Sequence, residues 1–237
     1  MLSEFNQLVI NAVYREARPE INEHTMKLIV GFIACLLAGL TNYFASEPLK
    51  SISASYYEIG WSRDVFVGCL FAISAFLLSY NGKPPLPEQD INNRLDLLLL
   101  SQWFQKLLSK FAASFAIGIA IFPCKCGNHE EIIPNAHGVS ALLMFLSLSI
   151  FCYIFYKRAK SKSHPDAKKR ALIYAFCGTV IIFCILAIGI HNAVSGDEVI
   201  SNSRITFWGE LIALLAFGIS WLTASQKLLI KKDRASS

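Results

Sequence analysis

Two histidines and two carboxylates, His137, His191, Asp64 and Glu210, stand at the ends of different long apolar runs. Imidazole nitrogens and carboxylate oxygens are ligands for Zn²⁺ or another divalent ion. A zinc ion held with one position open would activate water for hydrolysis. Such a metal site requires all four side chains to enter one cavity. The competing assignment is interfacial hydrogen bonding, the commoner occupation of histidines at helix ends. Glu210 lies a few residues inside an apolar stretch, where an unpaired carboxylate is costly, so it requires a partner. Arg204, Arg63 and His191 are the candidates.

A second group of polar residues is concentrated in SISASYYEIGWSRDVFVG, residues 51–68. The serines at 51, 53 and 55 alternate, as they would in an extended loop laid over the mouth of a bundle with its hydroxyls lining a polar pocket. Tyr56, Tyr57 and Trp61 are the side chains of an interfacial aromatic belt. Arg63 and Asp64 form either a pair that binds a headgroup phosphate or small anion, or a helix start in which Asp64 meets the positive helix end and Arg63 reaches the phosphates. The ligand-binding candidates are therefore Ser51, Ser53, Tyr56, Tyr57, Arg63, Asp64, Arg204 and Glu210. Cys124-Lys-Cys126-Gly-Asn-His129 also offers soft ligands, but a closed metal site needs a fourth. A disulfide is the alternative, and incidental loop cysteines are the default expectation.

These residues need long helices to position them. The chain is 54% hydrophobic and only 16% charged, against about 25% charged residues in an ordinary soluble domain. That balance marks an all-α polytopic membrane protein. The net charge of +5 sits in blocks between apolar runs, a pattern that signals topology and not a nucleic-acid surface. The six apolar runs predict spans at about 26–44, 63–80, 105–123, 138–156, 171–190 and 207–225. Residues 1–25 form an amphipathic segment suited to the membrane interface, and 226–237 a basic tail. The first residues are too polar for a cleavable signal, so the first apolar run is expected to direct its own insertion. Eighteen of the 22 lysines and arginines fall on one side of this six-span arrangement, which predicts that both termini are cytoplasmic. Every misplaced polar group then lies at the outer end.

No phosphate-binding loop, nucleophile elbow, His-Glu-x-x-His zinc motif or dinucleotide fingerprint is present in the sequence. The run SISASYYEIGWSRDVFVGCLFAISAFLLSYNG resembles a family of bacterial six-span integral membrane proteins with a Ser-Ile-Ser-Ala-Tyr-Tyr stretch followed by Arg-Asp-Val-Phe-Val-Gly. AIGIAIFP at 116–123, HGVSALLMFLSLSIF at 137–151 and FWGELIALLAFGISWLTAS at 207–225 are similar to further parts of that family. The resemblance implies the six-helix fold and a bacterial inner membrane, and no activity. By analogy with the adiponectin-receptor and alkaline-ceramidase superfamily, Ser53, Asp64, His137 and His191 can be cast as parts of a metal hydrolase. The late His-x-x-x-His pair and the seventh helix of that superfamily are missing.

The expected function is binding of a lipid headgroup or small ligand in an outward-facing polar cavity. The alternatives are a metal-assisted intramembrane hydrolase using zinc, and a small-solute transporter or channel. Membrane lipids are the expected partners, and nucleic acid is not.

Overall fold

A computed structural model describes residues 22–87, 93–126, 129, 131–195 and 203–226. The expected amphipathic segment falls almost wholly in 1–21, and the basic tail in 227–237, both outside the described residues. Among the described residues there are seven α-helices: α1 Glu23–Phe44, α2 Trp61–Leu78, α3 Arg94–Leu100, α4 Gln102–Ile121, α5 Ala136–Lys160, α6 Pro165–Val194 and α7 Ile205–Ser225. A 3₁₀ helix, Ile52–Tyr57, lies between α1 and α2. No strand occurs among the described residues. All but α3 are long and apolar enough to cross a membrane.

The helices start where side chains can satisfy the free N–H groups. Asn22 caps α1 by accepting from His24 N at 2.9 Å, and Ser101 caps α4 through Phe104 N at 3.2 Å. His164 caps α6, with Pro165 at its first position. At 30 residues and about 1.5 Å per residue, α6 is longer than the roughly 30 Å hydrocarbon layer.

The six long helices form a closed ring in chain order. Each packs on the next, and α7 returns to pack on α1. Small residues bring the backbones together on that closing seam. A Cβ on Gly31 would lie 2.8 Å from Leu222 and 2.9 Å from the Gly218 carbonyl; one on Gly218 would lie 2.8 Å from the Gly31 carbonyl. Serines join other neighbours. Ser74 and Ser109 exchange hydrogen bonds between α2 and α4, to Ala113 O at 3.0 Å and Leu77 O at 2.6 Å, and Ser62 of α2 donates to Thr41 O of α1 at 2.8 Å.

Trp221, fully buried, occupies the middle of the ring against Phe217, Phe151, Phe155 and Tyr80, at centroid separations of 5.3–6.3 Å. Large apolar side chains such as Leu172, Phe176 and Phe183 face outward from α6, as on a surface solvated by lipid.

The bundle has two distinct ends. The start of α1, the end of α2 and the end of α7 meet at the basic end, where His24 Nδ1 lies 2.9 Å from Ser225 O. The 3₁₀ helix and the starts of α5 and α7 meet at the other.

Candidate functional site

At the end opposite the basic one, the chain between α1 and α2 is pinned to the start of α7. Arg204 donates from Nε to Leu49 O at 2.9 Å and from its terminal nitrogen to Asn42 Oδ1 at 3.0 Å. Phe207 N donates to Lys50 O at 3.0 Å. These contacts hold the next residues as a 3₁₀ helix. The expected extended serine run is corrected here: Ser51 caps the turn by accepting from Ala54 N at 3.1 Å, and the buried Ser55 donates to Ile52 O at 2.6 Å. Two of the three serines therefore serve the turn, and Ser53 alone engages the neighbouring helices through its side chain.

The turn delivers Ser53 to His137, in the first turn of α5. The His137 ring is fixed at both nitrogens. Nδ1 lies 2.8 Å from the Phe122 carbonyl, and Nε2 lies 2.8 Å from Ser53 Oγ. A carbonyl can only accept, so Nδ1 carries the proton; in the neutral ring Nε2 then accepts from the Ser53 hydroxyl. Glu210, in the second turn of α7, completes the group. Its carboxylate accepts from Ile52 N at 2.6 Å, and the Ser53 backbone N–H also faces it. The partner that Glu210 requires is thus the 3₁₀ turn, not Arg204, Arg63 or His191.

These groups line a cavity of about 380 Å³. Ser53, His137, Glu210, Glu131, Lys125 and Asn192 are among its polar residues, and Leu142, Phe145, Ile185 and Ile188 of α5 and α6 form its apolar wall. Cys124 and Cys126 form a disulfide at its edge, the alternative to incidental loop cysteines. The loop that carries them is latched to the turn: Tyr57 donates to Cys124 O at 2.7 Å and stacks on His129, with centroids 3.8 Å apart. With both sulfurs bonded to each other and His129 against Tyr57, this loop does not present a set of free ligands.

The remaining sequence candidates lie elsewhere. Arg63 and Asp64 are exposed, and Arg63 stacks on Tyr56 at 4.9 Å. Asp64 sits in the first turn of α2, where its charge meets the positive helix end. Arg204 lies over Phe207 and Trp208 as well as bonding the α1–α2 connection. His191 is near the end of α6, with Nδ1 3.1 Å from Ser195 Oγ. Of the four candidate metal ligands, only His137 and Glu210 line the same cavity. Among the described residues, no group of three or more His, Cys, Asp or Glu side chains is placed to hold a metal ion.

The Phe122 carbonyl, the Ile52 N–H and the apolar wall were not legible in the sequence. Main-chain groups carry no residue-type signal, and the wall residues are indistinguishable in sequence from lipid-facing ones.

The fold and the cavity define a multi-pass helical membrane protein with a half-polar pocket at one end. No protein-family model matches the chain, and neither a curated protein nor a solved structure matches it.

Proposed function

We propose that this is a bacterial inner-membrane protein with both termini cytoplasmic, whose cavity opens to the outer leaflet and binds a ligand with a small polar head on an apolar chain. The carrying observation is the division of one pocket into the Ser53–His137–Glu210 group and an apolar wall on α5 and α6. Pockets of this size with few convergent polar groups suit small amphiphiles. The charge selects the head. Glu210, Glu131 and Lys125 line the cavity, so its carboxylates outnumber its lysine, whereas Arg63, the expected phosphate contact, and Arg204 are engaged outside it. A hydroxyl- or amine-bearing head therefore fits better than a bare phosphate. The buried aromatic cluster around Trp221 lies toward the opposite end of the bundle, which favours binding over passage of a solute.

Titration with phosphatidylethanolamine or monoacylglycerol, followed by thermal unfolding in detergent, tests this reading. Wild-type protein should be stabilised by one or both. Glu210→Gln should weaken binding by about tenfold or more, because a hydrogen bond to a charged group is worth about 1.5–3 kcal/mol. Equal stabilisation of the variant would remove Glu210 from the site.

One contact favours a second reading. A serine hydroxyl 2.8 Å from an imidazole whose other nitrogen is fixed by a carbonyl is a nucleophile–base pair. In that reading Ser53 Oγ adds to an ester carbonyl as His137 takes its proton, the ester C–O bond then breaks, and His137 returns the proton to the departing alcohol, leaving an acyl-serine that water hydrolyses. It ranks second because the N–H groups of Ile52 and Ser53 are directed at Glu210 and so are not free to stabilise an oxyanion.

A further inference from the structure

We infer that the cavity beside Ser53, His137 and Glu210 and a groove on the lipid-facing side of the α5–α6 seam form one lipid site, with the head in the cavity and an acyl chain in the groove. The inference rests on the reading of that cavity as a site for an amphiphile and assigns a place to the rest of the bound molecule.

α5 and α6 touch at mid-span and part at the cavity end. A Cβ on Gly178 would lie 3.1 Å from Cys152 Cβ, so the two helices are in close contact there. At the level of the cavity, Gly138 of α5 and Gly189 of α6 both line it. Among the described residues, no atom lies within 4 Å of where either Cβ would stand. The flanking seams are tight at the same level. A Cβ on Gly118 would lie 2.6 Å from Ser140 Oγ, closing α4 on α5, and one on Gly209 would lie 2.8 Å from Ile188, closing α7 on α6. The cavity wall is therefore interrupted between α5 and α6. Gly138, Leu142 and Gly189 are exposed at this gap, and the exposed Val139, Leu186 and Ile190 beside them make the surrounding surface apolar.

The groove begins one turn further along the same seam. Ser149, Tyr153 and Tyr156 of α5 and Tyr174, Thr179 and Ile182 of α6 line a space of about 440 Å³. Ser149 stands one turn beyond Phe145 of the cavity wall, and Ile182 one turn before Ile185, so cavity and groove lie end to end along one helix pair. Hydroxyls in the groove are bonded within the protein. Ser149 donates to Leu146 O at 2.8 Å, Thr179 to Ala175 O at 2.9 Å and Tyr153 to Asp96 at 2.8 Å, while Tyr156 accepts from Lys160 at 3.1 Å. An occupant need not satisfy these groups, and a hydrocarbon chain meets carbon. At about 1.5 Å per residue, Leu142 to Tyr156 spans about 20 Å, against a leaflet about 15 Å deep. A chain leaving the head site through the gap at Gly138 and Gly189 enters this groove without crossing water. The ligand class is therefore a bilayer lipid that enters sideways, selected at its head and held along its chain.

The test uses the full chain in phosphatidylcholine nanodiscs containing a phosphatidylethanolamine or, separately, a long-chain monoacylglycerol, each with a diazirine near the end of an acyl chain. Photolabelled residues are mapped by mass spectrometry. Label should concentrate on groove residues such as Tyr153 and Thr179. Excess of the matching unlabelled lipid should remove it there and leave the weaker label at Phe71 and Phe111, which are exposed on α2 and α4. Gly189→Phe, which closes the gap, should lose most of the groove label. Thr179→Trp, which fills the groove outside the cavity, should lose it too, yet still retain a short-chain monoacylglycerol in native mass spectrometry. Both positions are exposed, so both variants should keep the wild-type melting temperature. Label spread evenly over the lipid-facing helices, or groove label unchanged by competitor and by Gly189→Phe, would overturn the inference and leave the cavity reading standing. Retention of neither lipid by wild-type protein would overturn both.

Discussion

His137 is restrained at both ring nitrogens and only 5% exposed, so its proton position follows from its surroundings. If Ser53 is a nucleophile activated by that ring, a fluorophosphonate probe should label it in wild-type protein, and His137→Gln should lose most labelling while remaining folded. Absence of labelling in wild type would leave Ser53 as a binding and bracing hydroxyl. Asp96 gives a separate prediction. It is fully buried at the start of α3, 2.7 Å from Lys157 Nζ and 2.8 Å from the Tyr153 hydroxyl. The Lys157 hydrogen bond, ahead of the opposing effect of burial, holds its carboxyl below the usual carboxylate range. Its folded value therefore lies below the unfolded one, about 3.9. The resulting stability is present above the unfolded value and is lost as pH falls through the folded one. Asp96→Asn should lower the melting temperature near pH 7, and the gap to wild type should shrink below about pH 4. A gap that is independent of pH would show that Asp96 acts through packing alone.

At the scale of elements, the ring depends on how closely its first and last helices approach. Gly31 and Gly218 leave no room for a Cβ on that seam. Gly218→Leu should destabilise the protein by about 1–3 kcal/mol or more through overpacking, measured as a lower denaturation midpoint in mixed micelles. Gly39, with open space where its Cβ would stand, should accept alanine without loss. The six apolar runs made the existence of the spans legible, because lipid imposes a length and a composition on each. Their pairing was not legible. Nothing local in IVGFIACLL marks Gly31 as the contact for Gly218, 187 residues away in sequence. The serine run misled for a related reason. Alternate hydroxyls suggest an extended loop, but the Ser51 cap and the Ser55 bond to the Ile52 carbonyl close a 3₁₀ turn just as well.

For the whole molecule, the two ends of the ring have opposite characters. One gathers Ser53, His137 and Glu210 beside an apolar wall; the other gathers lysines and arginines, with Tyr80 and Phe155 of the Trp221 cluster against Lys27. Hydropathy and charge blocks suggested that division, because misplaced polar residues and basic residues fall at alternate ends of the spans. Which polar residues share a cavity was beyond reach, since it depends on helix rotation. Asp64 and Glu210 look alike in sequence, each a carboxylate near the start of a span, yet one is exposed and the other lines the pocket. Lys27 looked like an ordinary flanking charge, and the fold places it among the most buried side chains.

The pocket beside Ser53, His137 and Glu210 is the central claim, and blocking it sterically is the most direct test. Gly138 lines the cavity, and no atom lies within 4 Å of where its Cβ would stand. Gly138→Phe should therefore fill the pocket without disturbing the helix or the polar group. Native mass spectrometry of protein released from nanodiscs containing phosphatidylethanolamine and monoacylglycerol would compare the two forms. Wild-type protein should retain a bound amphiphile and Gly138→Phe should not, at unchanged melting temperature in detergent alone. Equal retention by both, or retention by neither, would contradict a ligand site in this cavity.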